Sequence, residues 1–168
     1  LEKAARLFRR AHERGLDDFD LQLKLAQSLD SLGKHDEAIQ RYMEFSDKCV
    51  QQLRAEDAIR CLRRVIKLDP GRPEAQEKLL EILLHQNRPQ EAIEQAVAVA
   101  AKKADQGNPR DGLDLLIRIR SLNPRDIKLQ QKIIDLAEAC GDHPTARAER
   151  EVLVKNCDER KDVEMALE

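Results

Sequence analysis

The stretch from Leu25 to Ile39, LAQSLDSLGKHDEAI, returns as LLEILLHQNRPQEAI over residues 79–93 and as IIDLAEACGDHPTAR over residues 133–147. The same offset separates the copies each time, and it aligns Leu25, Leu79 and Ile133; Gly33, Asn87 and Gly141; and Ala38, Ala92 and Ala146. Each copy has the form of a helix end, a tight turn and a helix start. A fixed period of this kind belongs to arrays of stacked supersecondary units, none of which can bury its apolar face alone.

Apolar residues at helical spacing, broken by turn residues, predict about eight helices and no sheet. An amphipathic helix is expected over residues 2–14, carrying Ala4, Leu7, Phe8 and Ala11, with Asp17 or Asp18 capping the next. Residues 20–32, 36–53 and 56–68 form the first unit, 73–86, 89–106 and a helix opening at Pro109 the second, and 126–140 with 144–157 an incomplete third. All six prolines fall at these boundaries, as do five of the six glycines. Gly112 stands inside a helix, where the missing side chain permits close helix–helix approach. The implied division is a repeat domain over residues 1–157, with units 19–71, 72–125 and 126–157, an orphan first helix, and a charged tail over 158–168.

These residues resemble the tetratricopeptide repeat family, whose motif pairs two antiparallel helices over about 34 residues. Leu25, Ala26, Leu29, Gly33, Ala38, Tyr42 and Phe45 fill one copy of that motif, and Cys49, Ala58, Leu62, Val65 and Pro70 fall in the next. The resemblance implies an all-α, right-handed α-solenoid of stacked antiparallel helices. The departure from the family is in the spacing. The small residues Ala4, Ala38, Ala58, Ala92, Gly112 and Ala146 are not evenly spread: a long interval of one full motif alternates with a shorter one. Each long helix therefore serves two motifs, and the unit has three helices. The first helix lacks a partner on one side, and the chain begins with Leu1, so further repeats are expected before it.

No catalytic constellation is present. His12, His35, His85 and His143 are isolated, no HExxH or phosphate-binding glycine loop occurs, and neither a metal site nor a cofactor is expected. Cys49, Cys61, Cys140 and Cys157 lack CxxC spacing and read as reduced packing residues of a cytoplasmic protein. No apolar run is long enough for a membrane span. The reading is a non-catalytic scaffold for protein–protein interaction.

The resemblance places ligands in a concave groove lined by the first helix of each motif. In that register the outward positions include Asp20, Gln27, Asp30, Asp47, Glu74, Glu77, Glu81, Glu94, Asp135 and Glu138, against one cation, Lys128. Leu23, Met43, Val50, Leu84 and Val97 intersperse apolar contacts. Such an acidic wall would favour a basic or mixed-charge protein or peptide segment. Compensating cations, among them Arg60, Arg63, Arg64, Lys67, Arg118, Arg120, Arg147 and Arg150, are assigned to the other helices. Members of the family that clamp a C-terminal carboxylate use an Asn where this chain has Gln27 and Glu81, so that activity is not carried over. Two other readings stand beside this one: a nucleic-acid-binding solenoid using the arginine-rich face, and a regulatory domain of a larger enzyme. The net charge of -2, with one Tyr and three Phe, weighs against nucleic acid. Self-association through unpaired terminal helices is a further reading.

Overall fold

Turn chemistry sets the architecture. The computed structural model describes Arg6, Arg10 and residues 19–165, with the side chains of Arg6, Arg10 and residues 21–158. Eight α-helices and no strand occur among the described residues. They are α1 (Phe19–Ser31), α2 (His35–Gln51), α3 (Ala55–Leu68), α4 (Pro73–His85), α5 (Pro89–Asp105), α6 (Pro109–Ile119), α7 (Ile127–Ala139) and α8 (His143–Met165). A short 3-10 turn, Arg120–Leu122, extends α6. The expected helix over residues 2–14 and the Asp17 or Asp18 cap lie outside the described residues, although Arg6 and Arg10 are helical. The last helix continues to Met165, beyond the end expected near Cys157.

The helix starts keep the period of the sequence. Phe19, Pro73 and Ile127 open equivalent helices one period apart, as do His35, Pro89 and His143. Five of the turns share one construction. The middle residue is left-handed, with φ of 74° at Gly33, 59° at Leu53, 53° at Asn87, 85° at Gly107 and 71° at Gly141. These positions alternate between a short and a long interval, as the small residues do. In four of the turns the next amide reaches back six residues inclusive to a helix carbonyl, as from Lys34 to Leu29 at 3.0 Å and from Asp142 to Ala137 at 2.7 Å. That closure satisfies helix-end carbonyls that would otherwise stand open. Asn108 directly precedes α6, but its side chain makes no capping bond; Asp126 does cap α7, accepting from the Leu129 amide at 2.9 Å.

The longer connections use another device, twice. After α3 the Asp69 carboxylate accepts from the Gly71 amide at 2.9 Å, and after α6 the Asn123 side chain accepts from the Arg125 amide at 3.3 Å. Gln76 and Gln130, both buried, then donate to the carbonyls of Pro70 and Pro124, each at 2.9 Å. A buried amide without such a partner would cost about 1–3 kcal/mol.

The chain divides into two compact units, residues 1–86 and 87–168. In the first, α1 to α4 pack in succession; in the second, α5 to α8 do the same. Short turns between successive packed helices make antiparallel hairpins. Leu25, Leu29, Ala38, Phe45, Ala58, Leu62 and Val65 fill the core of the first unit. Ala92, Val99, Ala100, Leu113, Leu116, Leu129, Ile133 and Ala146 fill that of the second. Gly112 is where a backbone approach requires glycine: a Cβ there would stand 2.7 Å from the Ala100 carbonyl oxygen.

Candidate functional site

Within the first unit, α1 presents Leu23, Gln27, Asp30 and Ser31 toward α3, and the two helices enclose an open cleft of about 630 Å³. Tyr42 of α2 and Cys61 of α3 also line it. The opposite lining is Arg60, Arg63, Arg64 and Lys67, spaced so that one face of α3 carries four cations. The motif register assigns these cations to a surface apart from the acidic positions. In the structure they share the α1 cleft.

Asp30 is the junction. Its carboxylate accepts two bonds from Arg64, at 2.5 and 2.8 Å, and one from the Tyr42 hydroxyl at 3.4 Å. Its side chain is only 8% exposed, against 39% for Arg64. The Arg64 hydrogen bonds hold the Asp30 carboxyl below its usual value, overcoming the opposing effect of burial. Burial first, and then the Asp30 charge, pushes the Tyr42 hydroxyl up to about 12. Asp30 therefore ties α1 to α3 as well as standing at the cleft. Beyond it Arg60, 70% exposed, lies 3.4 Å from Asp57 of its own helix.

The other predicted positions have separate surroundings. Asp47 on α2 pairs with Lys78 on α4 at 2.5 Å. Asp30 thus reaches from α1 to α3, while Asp47 reaches from α2 to α4. Glu74, Glu77 and Glu81 are exposed along α4, with His85 3.9 Å from Glu81 and Leu84 exposed beside it. Gln27 is exposed at the cleft rim. In the second unit, Glu94 on α5 and Asp135 on α7 are exposed, and Glu138 pairs with Arg150 of α8. Asp20 lies in α1, but its side chain is outside the described residues.

Sequence reasoning passes over Glu149. It is 1% exposed and takes an ion pair from Arg120, while its second carboxylate oxygen has no hydrogen-bond partner. It stands among Arg147, Arg150 and Glu151, and a buried carboxylate in such a charged stretch leaves no periodic signal. The Gln76 and Gln130 clasps could have been found, because glutamine recurs at the same distance after Pro70 and Pro124. Burial pushes the Cys49 and Cys61 thiols up to about 11 and 12, which leaves them un-ionised at neutral pH. No helix among the described residues is long and apolar enough to cross a membrane.

Comparison with known proteins gives a family. The tetratricopeptide repeat profile matches residues 1–44 and 50–109. No curated protein matches the sequence. Among solved structures, MamA 41-end from Desulfovibrio magneticus RS-1 is 17% identical, with 93% of this chain and 96% of that one covered and a TM-score of 0.42. The putative kinesin light chain TPR-like repeats of Podosopora anserina are 15% identical, with 95% of this chain and 96% of that one covered and a TM-score of 0.43. YrrB, described as a TPR protein with an unusual peptide-binding site, is 12% identical, with 90% and 93% covered and a TM-score of 0.36.

Proposed function

Because the chain belongs to the tetratricopeptide repeat family, we propose that it works by holding another protein rather than by catalysis, as a scaffold for a basic or mixed-charge partner segment. The observation that carries the charge preference is the row of exposed carboxylates on α4, Glu74, Glu77 and Glu81. Their spacing of three and four residues puts them on one helix face. Leu84, 40% exposed, offers an apolar contact at the end of that row. Glu94 and Asp135 add exposed carboxylates on the second unit, whereas Asp30, Asp47 and Glu138 already hold cations of the chain itself. Charge of this kind steers encounter and excludes acidic partners more than it adds raw affinity. The un-ionised buried thiols suit a reducing, cytoplasmic setting.

The test is titration of a fluorescent Lys/Arg-rich peptide into the wild-type chain and into a variant with Glu74, Glu77 and Glu81 changed to Lys. Binding is expected to weaken by about tenfold or more in the variant and to fall with added salt. Equal affinity for both chains would remove α4 from the binding surface.

A further inference from the structure

We propose that the α1–α3 cleft is a second binding surface, distinct from the α4 row, which takes an acidic peptide segment by its side-chain carboxylates. Its lining sets four cations against one carboxylate in a chain whose net charge is -2. Three of those four cations are not demanded by the repeat. One period later, the positions of Arg60, Arg63, Arg64 and Lys67 are held by Asp114, Ile117, Arg118 and Ser121, and α6 still packs on its neighbours. The cleft also displays the chemistry it would use on a guest, since Arg64 already grips the Asp30 carboxylate with two donors. Arg60 and Lys67 stand exposed beside it, and Leu23 is half-buried in the lining, where an apolar side chain between two acidic ones can rest. The lining argues against nucleic acid. Its one aromatic residue, Tyr42, is buried, with its hydroxyl turned to Asp30, so no ring is offered for a base to stack upon.

The probe is a fluorescent, C-terminally amidated peptide alternating Glu and Leu, titrated into the whole chain and followed by anisotropy. Amidation removes the terminal carboxylate, so any binding reports the side chains. Changing Arg60 and Lys67 together to Glu is expected to weaken binding by about tenfold or more. Both are exposed, so the fold should survive the change, which circular dichroism checks. Asp30→Asn releases Arg64 and is expected to tighten binding about threefold. No saturable binding, equal binding by the Arg60/Lys67 variant, or tighter binding of single-stranded oligo-dT than of the peptide would overturn the proposal.

Discussion

Asp30 shows how one residue takes a role its position in the motif does not announce. Its place near the end of α1 reads as an outward carboxylate, yet two bonds from Arg64 and one from Tyr42 fix it between helices. Arg64 lies on another helix, and nothing in the local pattern around either residue names the other. The folded carboxyl is held below its unfolded value, so its contribution to stability is complete above roughly pH 4 and lost as pH falls through the lower, folded value. Asp30→Asn is therefore expected to cost about 1–2 kcal/mol near neutral pH, a modest figure because Arg64 is part-exposed. Urea midpoints should differ clearly at about pH 7 and converge as the pH falls below the usual carboxylate range, through the lowered folded value. A gap that stays constant with pH would mean that the pair contributes nothing through its charge.

At the scale of the element, most of the fold was legible. Proline, glycine and the recurring period locate the turns within a residue or two, because those residues restrict or release φ whatever packs around them. Leu53 is the instructive departure. It occupies the place of Gly107 one period earlier, adopts φ of 59°, and is 93% exposed. Nothing in a leucine signals a left-handed turn; the turn is closed by the Arg54 amide on the Cys49 carbonyl at 2.8 Å, as at the glycine turns. A left-handed leucine costs about 1–2 kcal/mol that glycine would not. Part of that gain is offset by the greater freedom of glycine in the unfolded chain. Leu53→Gly should therefore raise the melting midpoint, by about 0.5–1 kcal/mol in free energy, and calorimetry would read it. An unchanged or lower midpoint would show that the turn bears no strain.

For the whole molecule, stability in stacked helices is a sum of local terms between neighbours. Gly112→Ala would press a methyl group against the Ala100 backbone, with no flexible side chain to yield. A loss of about 1–3 kcal/mol is expected. Hydrogen exchange should place it first in the amides of α5 and α6, with α1 to α3 least affected. Uniform loss across both units would contradict this locality. The candidate site was less legible than the fold, for a reason of the same scale. Register assigns every copy of a motif the same outward face, but it does not say which helices will be neighbours. The structure sets Asp30 against the cations of α3 and Asp47 against Lys78 of α4, so like positions in the pattern meet unlike surroundings. The period holds three helices, an odd number, in a chain that reverses direction at each short turn. Within the first unit, α4 copies α1 in sequence, yet Asp30 ties α1 to α3 while Asp47 ties α2 to α4, so the copy meets a different neighbour. A surface built on α1 is therefore not continued by its own copy on α4, and the two carry opposite charge, cations lining the cleft beside α1 and glutamates along α4.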